Sequence, residues 1–440
     1  MEALQKLQLF AEQMSLEPAE ETQPGRAPRH IPLPVVTSSN RSGAGSKSSI
    51  SNLQSQTVRQ AQGDNLQPPI SSLQSPVSPP LPCGAPRPAS REQELGIYRA
   101  AVSGGKTVPM LKTMLTSACE RNCHYCPFRA GRNYRRATFK PEEMAKTFMH
   151  MQRAGMVDGL FLSSGIIKGG ASMQDKLLDA ADILRHKLGF RGYLHLKIMP
   201  GAERAQVERA MQLADRLSVN LEAPNTRRLQ MLAPMKVFTE ELVRPLQWVE
   251  EVRRSRPQHL GWNGRWPSTV TQFVVGAVGE SDLELLSTAD YLYDRLRLRR
   301  TYFSAFSPVA GTPLEETAPE NPWREHRLYQ ASFLLRDYGF DMEEMPFDHG
   351  GNLPLGLDPK MGWAQRNLME DPVEVNRADR ETLLRVPGIG PKGAQAILRA
   401  RRQSKLRDVQ DLRQIGVVTA RLAPFVLFDG RRPARQLCLF

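Results

Sequence analysis

The sequence predicts an α/β fold, a partial (β/α)6 barrel followed by a small all-α domain and preceded by a disordered N-terminal insert. Three observations carry this. Six short apolar strand candidates alternate with helical segments inside residues 96–340. Residues 373–430 read as helix, glycine-containing hairpin, helix, with a weaker repeat of that plan behind it. Residues 17–95 are dense in Pro, Ser, Gln and Gly and show no sustained apolar period. A chain of 440 residues with 40% hydrophobic content is long enough for two or three domains with an ordinary core.

Taken in order, residues 1–16 predict a short amphipathic helix, because Leu4, Leu7, Phe10 and Ala11 fall at helical spacing. It is expected to dock on the body. The stretch MEALQKLQLFAEQM has no basic leader and no small-residue cleavage site. No run approaches the roughly 18 apolar residues of a membrane span. A cytoplasmic protein with no membrane partner is the expectation. Runs such as NRSGAGSKSS and SPVSPPLPCGAPRP make residues 17–95 a linker.

From about Pro109 the strand candidates are MLKTMLT, GLFLSS, GYLHLKIM, RLSVNLEA, TVTQFVVG and RTYFSAFS. Between them PEEMAKTFMHMQRAG, MQDKLLDAADILRHKL, ERAQVERAMQLAD, TEELVRPLQWVEEVRRS and SDLELLSTADYLYDRLR are helical in period. That succession implies a parallel sheet, and six strands favour an open barrel over an eight-fold one. In the third strand Leu194, Leu196 and Ile198 alternate with His195 and Lys197. In the fourth, Leu217, Val219 and Leu221 oppose Ser218, Asn220 and Glu222. Apolar residues can face the helices while polar ones line the interior, either as satisfied core groups or as ligand contacts. Residues 341–372 read as a connecting loop and 431–440 as a C-terminal tail.

Charge and cysteines narrow the chemistry. The formal charge is +13, and residues 373–435 hold fourteen Lys and Arg against six Asp and Glu. A basic end of that kind suits a polyanionic partner. Of five cysteines, three crowd into CERNCHYC at Cys119, Cys123 and Cys126. Cys83 lies in the low-complexity stretch and Cys438 at the end of the chain. Such crowding points to metal and not to a disulfide framework. A structural zinc needs four ligands, which here would require His124, trapped between two cysteines, or a remote residue. An iron–sulfur cubane on three thiolates leaves one iron open to a small-molecule chelate. The cysteines also follow the first strand, at the mouth where barrel folds keep their chemistry.

Cys119-x3-Cys123-x2-Cys126, with Tyr125 before the last cysteine, resembles the signature of the radical S-adenosylmethionine (radical SAM) superfamily. Ser163-Ser164-Gly165 lies where that superfamily has a Gly-Gly-Glu segment, and VVGAVGE resembles its Gly-x-Ile-x-Gly-x-x-Glu segment. More closely, GLFLSSGIIK, GYLHLKIMPGA, LSVNLEAP, YFSAFSPVAGTPLE, LDPKMGWAQRN and VNRADRETLLRVPGIGPKGAQ look like the DNA modification or repair radical SAM proteins. The likeness runs from about Arg91 to Arg432. It implies that the three cysteines hold a [4Fe-4S] cluster whose open iron binds S-adenosylmethionine (SAM). It also implies an electron donor such as flavodoxin or ferredoxin. Tyr125 would lie by the adenine, and Ser163, Ser164 and Gly165 would hold the methionine amino group. Asn220 and Glu222 would hold the ribose or methionine moiety, and His195 and Lys197 would contact SAM or substrate. Ser-Ser-Gly lacks the superfamily's glutamate, a departure that bears on this segment. Arg129, Arg132, Arg135 and Arg136 read either as a solvated loop or as phosphate contacts. No residue is singled out as catalytic.

Pro387-Gly388-Ile389-Gly390 resembles the hairpin of helix-hairpin-helix DNA-binding domains. Its glycines allow a tight turn and close approach of a phosphate, while Lys392, Gly393 and the helix start offer donors. Contacts of that kind read backbone and not base sequence. The unit around Ile415-Gly416-Val417 is more degenerate. The terminal Gln436-Leu437-Cys438-Leu439-Phe440 resembles the pentapeptide by which bacterial replication and repair proteins bind the sliding clamp, with Gln436, Leu437, Leu439 and Phe440 as contacts. The leading expectation is a radical SAM enzyme acting on DNA. An RNA-modifying radical SAM enzyme and a DNA-binding protein with a structural or redox-sensing cluster are the competing ones.

Overall fold

The computed structural model describes residues 1–14, 91–101 and 107–433. Most of the Pro/Ser-rich linker and the clamp-like pentapeptide lie outside the described residues. The N-terminal helix α1 (Ala3–Met14) buries Leu7, Phe10 and Met14. Leu4, expected on the apolar stripe, is 54% exposed, and Met14 takes its place in the contact. Lys6 reaches Glu143 at 2.6 Å and Phe10 packs on Phe139 with ring centroids 5.8 Å apart, which fixes the helix to the body. The linker ends earlier than residue 95. Arg91–Glu94 form a helical turn, α2, and Leu95 is buried because its side chain joins the main core.

One seven-stranded sheet follows, with strands in sequence order. β1 (Ile97–Ala101) is antiparallel to β2 (Thr107–Met114) and adds an edge the six-strand expectation lacks. Then come α3 (Pro141–Arg153), β3 (Gly159–Ser163), α4 (Gly170–Asp182), β4 (Tyr193–Lys197), α5 (Arg204–Leu213) and β5 (Arg216–Ser218). The rest of the sheet unit is α6 (Thr226–Leu232), α7 (Arg244–Ser255), β6 (Ser268–Val275), α8 (Asp282–Leu296), β7 (Arg300–Ala305) and α9 (Pro322–Tyr338). β2 through β7 are all parallel, so the sheet curls as a half-barrel with helices behind it. The alternation read from the sequence sorts the faces: Leu194, Leu196 and Leu217 are fully buried, while Lys197 and Asn220 face a cleft on the other side.

The last strand, β7, would be an open edge, and α9 covers it. Tyr329 accepts from the Phe303 amide at 3.1 Å and Glu325 from that of Ala305 at 2.9 Å. Arg336, near the other end of α9, donates to the Arg299 carbonyl just before β7. The helix therefore runs antiparallel to β7, and Tyr338 lies at the N-terminal end of the strands.

The C-terminal part starts inside the expected connecting loop, which contains α10 (Pro359–Asn367), capped by Asp358. β8 (Val373–Glu374), α11 (Arg380–Arg385), α12 (Pro391–Ala400), α13 (Val409–Gln414) and β9 (Val426–Leu427) complete it. The parallel pairing of β8 with β9 is a short addition to the all-α expectation. This region has its own apolar core, and Tyr338 and Trp363 pack against both that core and the main one. Arg385 joins the two by donating to the carbonyls of Tyr338 and Gly339 and to Glu344, at 3.2, 2.8 and 2.8 Å.

Candidate cofactor site and nucleic-acid hairpin

The cysteine loop leaves β2 and is held from two sides. On the β3 side, the Glu120 amide donates to the Ile166 carbonyl at 2.7 Å, and its carboxylate accepts from the amides of Lys168 and Gly169. Gly165 is required here, since a Cβ would lie 2.2 Å from the Ala118 carbonyl oxygen. On the α6 side, the His124 amide donates to Leu232 at 2.8 Å, while Arg121 bonds the Met235 carbonyl and pairs with Glu241. The Ile166 amide points at Cys119 Sγ at 3.5 Å. Of the three cysteines Cys123 is buried, and none is in a disulfide.

Cys119, Cys123 and Cys126 open on one cleft. Tyr125, Ser163, Ser164 and Gly165 share its wall, and so do Lys197, Asn220 and Glu222. Every residue the sequence nominates for the cofactor except His195 is thus brought to one place. Within it Ser164 Oγ, Asn220 Oδ1 and Glu222 Oε2 are buried with no hydrogen-bond partner, acceptors and a hydroxyl left open for a polar ligand. Among the described residues no three His, Cys, Asp or Glu side chains close on a single metal ion.

Local backbone explains how β5 delivers its pair. Regular pairing ends at Ser218, three residues into the eight expected, and Glu222 adopts a left-handed φ of 66°. The Glu222 amide donates to Gln272 at 2.9 Å and its carbonyl accepts from Val274 at 2.8 Å, so β6 holds the irregular turn from both sides. A left-handed non-glycine residue costs on the order of 1–3 kcal/mol and persists where its surroundings over-determine it.

Lys236 is the functional candidate the sequence does not reveal. It lies in the turn after α6 and pairs with Glu222 at 3.0 Å, both side chains buried. Burial alone would lower its pKa, but Glu222 and the nearby thiols hold it above the ordinary lysine value. Burial raises the Cys123 thiol while Lys236 pulls it down; burial and Glu222 together push the Tyr125 hydroxyl well up. A lone lysine in the turn sequence LAPMKV follows no period or spacing that would mark it.

Two expectations need correction. His195 is not in the cleft wall; it is buried within the half-barrel edge-on to Phe161 with ring centroids 4.6 Å apart. It sits two residues nearer the start of β4 than Lys197, one layer deeper. Burial and the charges of Arg216, Lys197 and Lys112 hold it well below the ordinary histidine value, hence neutral. Among the arginines after the cysteines, Arg132 bonds the Ala310 and Pro127 carbonyls, and Arg136 bonds those of Arg129 and Arg132 while covering the Tyr134 ring. These two brace the loop and are not a solvated charge run.

In the C-terminal hairpin Gly388 has φ 93°, and a Cβ there would lie 2.4 Å from the Val418 carbonyl oxygen. The second, degenerate hairpin thus packs against the first. Ile389 is fully buried and its amide donates to the Val386 carbonyl at 3.1 Å, so the residue anchors the turn from within. Gly390 caps α12, whose helical ladder begins with the Ala394 amide on Gly390 at 2.8 Å. The amides of Lys392 and Gly393 precede that ladder, and Lys392 is exposed. Beneath the turn, Lys360 donates to the Ile389 carbonyl at 2.6 Å and lies over the Tyr338 ring. Its burial lowers its pKa to about 7.

Residues 113–292 match the family described as the radical SAM superfamily, and residues 369–422 match the helix-hairpin-helix motif. No curated protein matches the chain. Similar solved structures include the FeFe-hydrogenase maturase HydG from Carboxydothermus hydrogenoformans, at 14% identity over 52% of this chain and 51% of that one, TM-score 0.41. Methylornithine synthase (PylB) is 16% identical over 52% and 61%, TM-score 0.41. A radical SAM methyltransferase from Sphaerobacter thermophilus is 14% identical over 54% and 68%, TM-score 0.37. The chain spans 51% and 61% of the length of the first two.

Proposed function

Since the chain carries a radical SAM domain joined to a helix-hairpin-helix motif, we propose that this enzyme directs radical chemistry at DNA. Its cofactors are a [4Fe-4S] cluster and SAM. The cluster, when bound, supplies the electron that cleaves SAM to methionine and a 5'-deoxyadenosyl radical, which abstracts hydrogen from a base or sugar. Cys119, Cys123 and Cys126 are the residues to hold the cluster. Ser164, Asn220 and Glu222 offer SAM their open polar atoms, Tyr125 offers a ring for the adenine, and Lys197 offers a cation to its carboxylate.

One observation carries the reading: three thiols and three unpartnered polar atoms share a single cleft on a chain that also presents a phosphate-type hairpin. The hairpin favours DNA held by its backbone, with little sequence preference. An electron donor of the flavodoxin or ferredoxin class and a cytoplasmic setting go with this chemistry. The terminal Gln436, Leu437, Leu439 and Phe440 supply a sliding-clamp contact, which would bring a sequence-blind enzyme to sites of synthesis. A peptide of the last ten residues should bind the bacterial clamp at a Kd on the order of micromolar. Changing Leu439 and Phe440 to Ala should abolish this, and an inert wild-type peptide and full-length chain would dismiss the contact.

Anaerobically reconstituted protein should hold one [4Fe-4S] cluster and, once reduced, form 5'-deoxyadenosine and methionine from SAM. Cys123→Ala should lose both. Stoichiometric zinc without iron, or a reduced cluster that never cleaves SAM with or without DNA, would favour a structural or sensing role.

A further inference from the structure

The Lys236–Glu222 pair is built in a way that ordinary stabilisation does not explain. Its two side chains are 9% and 5% exposed, their charged atoms are 3.0 Å apart, and both line the cleft that holds the cysteines. A buried ion pair adds little net stability, because desolvating two charges offsets their attraction. Here one partner also occupies a strained backbone position.

The pair is held in a fixed orientation. The Lys236 amide donates to the Ala233 carbonyl at 2.9 Å, which sets where its side chain leaves the turn, and its ammonium is held by Glu222 at 3.0 Å. The same segment supplies the Leu232 and Met235 carbonyls that tie down the cysteine loop. Glu222 is fixed from both sides by β6. Among charged neighbours, Lys236 acts most strongly on Cys123, whereas Glu222 acts most strongly on Tyr125. The pair is therefore a dipole in the low-dielectric wall that also carries the cysteines.

We propose that Lys236 and Glu222 set the reduction potential of the cluster, with the ammonium raising it and the carboxylate opposing it. This inference rests on the radical SAM reading above. In the step concerned, a one-electron donor is oxidised and the cluster gains that electron, with no bond or proton transferred. The cluster becomes more negative by one charge, and a fixed neighbouring cation lowers the energy of the reduced form. Lys236 thus makes a strongly reducing centre accessible to a biological donor. Glu222, paired with the ammonium at 3.0 Å, keeps the lysine from pairing with a thiolate in the cluster's place.

The test is a potentiometric titration of the reconstituted full-length protein, followed by the electron paramagnetic resonance of the reduced cluster without SAM. Iron and sulfide content should be recorded for each variant. Lys236→Met should cut the reduced-to-oxidised ratio at a fixed potential by about tenfold, a shift of about 59 mV to more negative values. Glu222→Gln should move the potential the opposite way. Lys236→Arg should keep the wild-type value, and the Lys236→Met, Glu222→Gln double variant should lie between the singles. A general loosening of the site would move both singles in one direction, so a same-direction shift or unmoved potentials overturns the inference. If Lys236→Met takes up no cluster, Glu222→Gln decides alone, and anything but a positive shift overturns it. A wild-type chain without a [4Fe-4S] cluster overturns the functional reading and this inference together, whereas a wild-type cluster with unmoved potentials overturns this inference only.

Discussion

Lys360 links the two parts of the chain through a single buried amine. It lies beneath the hairpin, donating to Ile389, with Asp358, Arg385 and Arg421 as charged neighbours. Burial, reinforced by the two arginines, lowers its pKa from 10.5 to about 7. Between those values the unfolded chain holds a proton the folded chain has shed, so stability rises with pH through that window and is flat below it. The neutral amine still donates, so the bond to Ile389 survives deprotonation. From pH 7 to pH 9 the gain is about 2–3 kcal/mol at about 1.4 per pH unit. Urea denaturation at both pH values should show this gain for the wild type and not for Lys360→Met. Parallel pH profiles for the two proteins would contradict it.

Elements were legible where one physical signal governed them. Strict alternation in GYLHLKIM and LSVNLEA marked β4 and β5 and sorted their faces, because one side packs on helices and the other lines a polar cleft. The three cysteines were legible by spacing. β1 was missed because its five residues follow Pro/Ser-rich sequence and pair only as an edge. The irregular end of β5 was missed because alternation carries no information about a left-handed residue such as Glu222. α9 shows no single apolar stripe, since it buries Trp323, Tyr329 and Leu334 among contacts to β7, α8 and α10. Lys236 was invisible because the partner that gives it meaning, Glu222, is fixed only by the fold. In the hairpin, glycine spacing identified the turn while burial shows that Ile389 is an anchor. Lys392 is the exposed cation at the start of α12, so Lys392→Gln should weaken duplex binding alike for unrelated sequences. It should also reduce the slope of log K against log salt by about 1. An unchanged slope would remove Lys392 from the phosphate contacts.

Over the whole molecule, the grip and the chemistry sit apart. The cysteines follow the C-terminal end of β2, whereas the hairpin docks through Arg385 and Lys360 on Tyr338, at the N-terminal end of the strands. A strand of six residues such as β7 spans about 20 Å. Hairpin and cleft are thus set at opposite ends of the strands. The net charge of +8 in residues 373–435 suits a polyanionic partner. The docking of the two cores through Tyr338 and Trp363 keeps hairpin and cleft in register. On the proposed function, the radical made in this cleft takes hydrogen from DNA. Turnover of the reduced, reconstituted enzyme with uniformly deuterated duplex DNA tests it most directly, with mass spectrometry of the 5'-deoxyadenosine formed. The account predicts one deuterium in 5'-deoxyadenosine with DNA and none with deuterated RNA. Unlabelled 5'-deoxyadenosine from DNA, or label arriving from RNA alone, would contradict it.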